Sequence, residues 1–215
     1  MNSLSIATSL GLLLGLTAWP ALAQEADPER GKAAAAVCGT CHQPDGSGRH
    51  VADGESWPRL SGLNAGYIAN QLHDYKEGRR RNASMQPFAN MLDDQQIVDV
   101  AAYYAKLPVT DGQGGDEADE AQLARGEQLA LRGDWNAYIV SCKSCHGPGN
   151  EGVGSTFPGI AGQHAGYIEK QLLAWQAGER DNDAQNLMGA IAKRMNDEDI
   201  RAVAVWLSRQ PVASE

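Results

Sequence analysis

The sequence predicts an all-α protein made of two tandem, duplicated units, and three observations carry that prediction. The halves of the chain repeat each other. Apolar residues recur at helical spacing, and no stretch alternates convincingly with period two. Each half also contains the pentapeptide Cys-x-x-Cys-His, and the chain has no other cysteine.

The repeat is read directly. "RLSGLNAGYIANQLHDYKEGRR" (59–80) matches "GIAGQHAGYIEKQLLAWQAGER" (159–180) without a gap at an offset of 100. The two pentapeptides, in "VCGTCHQPDG" and "SCKSCHGPGN", stand 104 apart, and "MLDDQQIVDVAAYYAKLP" (91–108) matches "RMNDEDIRAVAVWLSRQP" (194–211) at 103. Offsets that change by a few residues place the insertions in loops, as expected of a duplicated domain. "PVTDGQGGDEADE" (108–120) is rich in Gly and acid, lacks apolar periodicity and reads as a linker. The predicted organisation is a leader over 1–23, a first unit over 24–108, a linker over 109–118 and a second unit over 119–215.

Helix signals are the same in both units. Asp27 is placed to cap an opening helix with Pro28 at its first position, running to the first Cys pair. A second helix is predicted over about 64–77, with Tyr67, Ile68, Leu72 and Tyr75 on one face. A third is predicted over about 94–107, capped by Asp93, with Ile97, Val100, Ala101 and Tyr104 at helical spacing. The second unit repeats these over 119–132, 164–177 and 197–209. Gly31 and Gly126, one in each opening helix, mark points where another helix approaches the backbone closely. One departure stands out: Gly126 precedes Cys142 by sixteen steps where Gly31 precedes Cys38 by seven, which leaves "RGDWNAYIV" (132–140) unplaced.

The leader "MNSLSIATSLGLLLGLTAWPALAQ" has no charged side chain, has an apolar centre and ends in Ala21-Leu22-Ala23. It reads as a secretory signal, although its n-region lacks Lys and Arg, with an uncleaved membrane anchor as the alternative. Either way the folded part lies outside the cytoplasm. The formal charge of −9 excludes a generic nucleic-acid binder. It is also uneven: residues 24–110 hold 9 basic and 11 acidic side chains, residues 111–215 hold 9 and 16, a polarity that can orient a charged partner.

An exported protein usually spends its cysteines on disulfides. Here all four sit in the pentapeptides. Zinc could use two distant Cys pairs but leaves the following His unexplained. A thioredoxin-like pair wants a βαβ context that is absent. Covalent haem attachment uses every fixed position: Cys38 and Cys41, and Cys142 and Cys145, form thioethers, while His42 and His146 bind iron from the proximal side. Two haem c groups also supply the core that units of about 90 residues lack.

A Met thioether as sixth ligand closes the iron and raises its potential, whereas an open site invites oxygen or peroxide. Met85 and Met188 align at 103, each seven residues before an aligned apolar position, and both are assigned as axial ligands. Met91 and Met195 read as packing, with Met91 kept as an alternative ligand. Bis-histidine ligation through His50, His73 or His164 is the minority reading. In Trp57-Pro58 and Phe157-Pro158 the Pro carbonyl could accept the proximal imidazole N–H, the alternative being a rigid turn. Arg79, Arg80 and Arg81 read as a solvated charge run, against an alternative role with haem propionates or an acidic partner.

On these residues each unit resembles a class I cytochrome c, and the pair resembles the dihaem cytochrome c4 family across essentially the whole mature chain. The resemblance implies two class I domains related by a pseudo-twofold axis, two His/Met haems, periplasmic location and sometimes loose membrane association. It also implies electron transfer from respiratory donors such as a bc1 complex toward a terminal oxidase, with no bond chemistry on a substrate. Two rivals share the haem chemistry: an electron-accepting subunit of a periplasmic dehydrogenase, and a dihaem peroxidase-type enzyme. Oligomeric state, potentials and partner identity are not readable from the sequence.

Overall fold

The computed structural model describes residues 25–212. The leader over 1–23, with its choice between signal and anchor, lies outside the described residues. Among the described residues no helix is long and apolar enough to cross a membrane.

The first unit contains α1 (Pro28–Ala34), α2 (Gly39–His42), α3 (Ala65–Lys76), α4 (Met85–Asn90) and α5 (Asp94–Lys106). The second repeats them as α6 (Glu120–Leu131), α7 (Lys143–His146), α8 (Ala165–Ala177), α9 (Leu187–Ala192) and α10 (Asp197–Ser208). The fold is all-α; among the described residues the only β pairings are isolated bridges. Helix starts follow the cap residues. Asp27 accepts from the N–H groups of Glu29 and Arg30, Asp93 forms a capping box with Gln96, and Asn64, Asp119 and Asn196 each accept from a first-turn N–H. The short helices α2, α4, α7 and α9 were not foreseen, because helices of 4 or 6 residues are too brief to show a period.

In each unit the opening helix crosses the last helix at its glycine. A Cβ on Gly31 would overlap the Asp99 carbonyl of α5, and one on Gly126 the Ala202 carbonyl of α10. Charges lock both crossings. Arg30 donates to both carboxylate oxygens of Asp99 at 2.7 and 2.9 Å, and holds that carboxyl down at about 2. Arg125 pairs with Asp199 at 2.7 Å and with Asp134 at 2.9 Å. Asp134 belongs to the unplaced stretch 132–140. It forms a tight loop closed by two backbone bonds between Asp134 and Ile139, with Trp135 and Tyr138 exposed. The nine extra steps of the second unit are therefore one loop inserted between the opening helix and the Cys pair.

Against α5 and α10 pack α3 and α8, whose Ile68, Leu72, Ile168 and Leu172 join Ile97, Val100, Ile200 and Val203 in the two cores. The units meet through exchanged contacts. Ser155 of the second unit lies against Gly66 at the start of α3, and Ser56 of the first lies against Gly166 at the start of α8. Such exchanged pairs are the mark of an approximate twofold relation.

Residues 109–118 form no helix, and they are a fastened strap. The Gln113 side chain accepts from His50 N at 3.1 Å, the Gln113 backbone N–H donates to His164 Nδ1 at 3.1 Å, and the Gln113 backbone carbonyl accepts from Ala165 N at 2.9 Å. His164 is fully buried and its Nε2 reaches the Ser47 carbonyl at 2.7 Å. Both ring nitrogens are thus used in holding the units together, and burial pushes the imidazole pKa down. Beside it Arg59, 1% exposed, donates to the carbonyls of Ala161 and Gly162 at 3.0 and 3.1 Å across the interface.

Candidate functional site

A single cavity runs from one unit into the other, and its walls are mostly apolar. The first unit contributes Cys38, Cys41, His42 and Met85, the second Cys142, Cys145, His146 and Met188. All eight residues singled out from the sequence therefore face one space.

Local structure explains how each is presented. The Cys pairs lie at the entries of α2 and α7, one turn of helix that brings both thiols and the following imidazole toward the same side. His42 and His146 are 4% and 7% exposed. Their Nδ1 atoms lie 3.0 and 2.7 Å from the carbonyls of Pro58 and Pro158, which fixes these as the protonated nitrogens and leaves each Nε2 free for iron. The carbonyl role proposed for the two prolines is therefore realised. Burial pushes both imidazole pKa values down, favouring the neutral form that a metal needs.

Met85 opens α4 and Met188 is the second residue of α9, each preceding the last helix as a separate short element. Their backbone N–H groups are held by Asn82 at 2.9 Å and Asp183 at 2.7 Å. The second unit is three residues longer here and absorbs the difference with Gln185 and Asn186 in the left-handed region. Met91 is 68% exposed and does not line the cavity; Met195 is buried in the second core and also borders the cavity beside Met188. Among the described residues His50 and His164 serve the interface, and neither they nor His73 lines the cavity.

The rival uses of the cysteines fit poorly. No disulfide links the four cysteines, and among the described residues no cluster of three or more His, Cys, Asp or Glu could hold a metal ion. Burial pushes Cys142 up to about 11, whereas a redox-active pair depends on a lowered pKa. An apolar slot with two thiols and a free imidazole nitrogen on one side, and a thioether on its wall, matches covalent haem.

One expectation is corrected. Arg80 is not part of a solvated run: it is 5% exposed and bonded to Gln71, Tyr167 and Gln171. Its partner in the repeat, Arg180, is 7% exposed and bonded to Gln71, Gln171 and Asn182. Both line the cavity where the units meet. Arg79 is surface-exposed as expected, paired with Asp74 and Glu77.

The fold and this donor set define a tandem class I cytochrome c that transfers electrons and does not itself catalyse bond chemistry. A cytochrome c family profile matches residues 28–108 and again 123–210. The chain belongs to the cytochrome c4 family of dihaem proteins. It superposes on the crystal structure of reduced recombinant cytochrome c4 from Pseudomonas stutzeri with a TM-score of 0.78 and 31% identity, covering 86% of this chain and all of that one. It is 43% identical over 202 residues to the thiosulfate dehydrogenase electron acceptor of Thiomonas intermedia, 93% of this chain and 89% of the relative. It also matches the thiosulfate dehydrogenase of Marichromatium purpuratum with a TM-score of 0.78 and 35% identity, covering 86% of this chain and 41% of that one.

Proposed function

We propose that this chain is the electron acceptor of a periplasmic dehydrogenase that oxidises thiosulfate. The observation that carries this choice of partner is the 43% identity over 93% of the chain to a thiosulfate dehydrogenase electron acceptor. The general respiratory carrier between a bc1-type donor and a terminal oxidase, the first expectation from the sequence, is the second reading; the likeness to cytochrome c4 favours it.

Each haem c, when bound, supplies one reversible ferric–ferrous couple. Cys38 and Cys41 would anchor one through thioethers and Cys142 and Cys145 the other. His42 and His146, oriented by the Pro58 and Pro158 carbonyls, would bind iron through Nε2. Met85 and Met188 line the same cavity and would supply thioether sulfur to iron, an arrangement that would leave no position open to oxygen or peroxide and so favours an electron carrier over the peroxidase-type rival. Both residue sets line one cavity, so the two groups would share one continuous, mostly apolar space. Two one-electron sites also match the chemistry: oxidative joining of two thiosulfate ions through an S–S bond releases two electrons.

The test mixes the ferric protein with thiosulfate dehydrogenase and thiosulfate in a stopped-flow instrument. The expected result is rapid reduction with two electrons taken up per chain. Reduction by a bc1 complex and quinol, with none by the dehydrogenase, would hand the function to the respiratory reading.

A further inference from the structure

On the strap side of the interface, away from the haem slots, one titratable group has a single way to satisfy its neighbours. His164 is fully buried, with the Gln113 backbone N–H 3.1 Å from its Nδ1 and the Ser47 carbonyl 2.7 Å from its Nε2. A backbone N–H can only donate and a carbonyl can only accept. Nδ1 therefore presents its lone pair and Nε2 carries the proton, so the ring is neutral and fixed in one tautomer. An imidazolium would set two N–H groups against each other at Nδ1 and leave the Gln113 N–H without an acceptor.

The surroundings do not welcome a positive charge. Arg59, a buried cation, shares the Gln163 side chain with His164: Gln163 Oε1 accepts from Arg59 N at 2.9 Å and from His164 N at 3.0 Å. Burial, with smaller contributions from His50 and Arg59, pushes the imidazole below its ordinary 6.5. The other charged groups on the elements packed here are engaged elsewhere or turned to water. Asp45 accepts from Ser47 N at 3.0 Å, Arg49 lies over the Trp57 ring, Arg209 donates to the Gly115 carbonyl at 3.2 Å, and Asp111, Asp116 and Glu117 of the strap are exposed. None of the ion pairs among the described residues includes His164.

We propose that His164 is an acid-operated latch: its protonation expels the ring from between Ser47 and the strap and releases the two units from each other while each stays folded. The latch ties three segments at one point, the first-unit loop at Ser47, the strap at Gln113 and the start of α8. Each unit keeps its own core and its own charge-locked helix crossing, so release does not require unfolding. The half-buried His50 ring packs between Gly114 and Gly166, but the Gly166 N–H stands 3.4 Å from its Nδ1, a longer and weaker contact.

Docked, His164 holds one proton on Nε2 and takes no second; released, its imidazole titrates near the ordinary 6.5. Docking is therefore insensitive to this group above about pH 6.5 and weakens as pH falls below it. One proton taken up on release makes the opening equilibrium rise about tenfold per pH unit, until the docked imidazole itself becomes protonated.

Hydrogen exchange of the reduced protein with its haems bound, corrected for the intrinsic effect of pH, reads this opening. The amides of Arg59, Gln113 and Ala165 are bonded across the interface. Their protection is expected to fall about tenfold per pH unit from about pH 6.5 downward, while amides at the two helix crossings keep theirs. His164→Asn, which places there the residue found at repeat position 64, removes the titrating ring and is expected to flatten the profile. His50→Asn is expected to leave the fall in place. A flat wild-type profile, an unchanged fall in His164→Asn, a fall abolished by His50→Asn, or equal loss at the helix crossings overturns the latch. If His164→Asn is open at every pH, nitrogen-15 histidine spectra of wild type decide. An Nε2–H tautomer at neutral pH that disappears together with the protection supports the latch, and any other tautomer, or its loss at a different pH, overturns it.

Discussion

Alanine at Gly31 or Gly126 is expected to lower the melting temperature of the affected unit by roughly 10 °C. The new Cβ would overlap the Asp99 carbonyl in the first case and the Ala202 carbonyl in the second, where it would also stand 2.6 Å from Trp206 Cβ. Backbone cannot step aside as a flexible side chain can, so the helices must separate. Forcing atoms into a packed contact costs about 1–3 kcal/mol, while replacing Gly by Ala within a helix returns up to about 1 kcal/mol. The net loss, about 2 kcal/mol, corresponds to about 8–16 °C in a domain of 60–100 residues. Thermal unfolding followed by the haem absorption of each variant checks this. An unchanged or raised midpoint would mean that the crossing glycines do not set helix approach.

Arg59→Met is expected to undock the two units. The guanidinium is 1% exposed and bonds the carbonyls of Ser61, Ala161 and Gly162, while the Arg59 backbone and Gln163 exchange two further bonds at 2.9 and 3.0 Å. Burial lowers its pKa to about 10, so it stays charged at neutral pH. Methionine fills similar space but leaves those carbonyls without donors, at a cost of about 1–3 kcal/mol for each that stays buried. Opening the interface to water is the cheaper outcome. Limited proteolysis across residues 109–118 should then accelerate at least about tenfold, the effect of about 1.4 kcal/mol on an opening equilibrium. Unchanged protection would show that the strap and His164 hold the units without Arg59.

The three longer helices of each unit were legible, and the eight candidate haem residues could be singled out, because their signals are local: caps, helical periods and a pentapeptide with fixed roles at each position. The duplication added what neither half could give alone, since Met85 was singled out from Met91 by having an aligned partner. The interface was not read, although its signal was present. In the matched stretch 59–80 and 159–180, the non-glycine polar residues identical in both halves are Tyr67, Gln71 and Arg80 with their counterparts. Helical period places Gln71 beside Ile68 and Leu72 but does not say that another domain covers it. Arg59 carries no such mark, because Gly159 stands at its repeat position and its acceptors lie in the other unit. The strap 109–118 looked like a free linker because its bonds run through Gln113 to His50 and His164, contacts that composition does not encode.

The most direct measurement is the optical spectrum of the purified ferric protein, read for the weak far-red band of iron–methionine ligation in wild type, Met85→Ala and Met188→Ala. Two closed electron-transfer sites predict that each substitution removes about half of the band and that the double variant removes it all. A substitution that leaves the band unchanged would give one iron a different sixth ligand or none, and would contradict the account of a dihaem protein that only carries electrons.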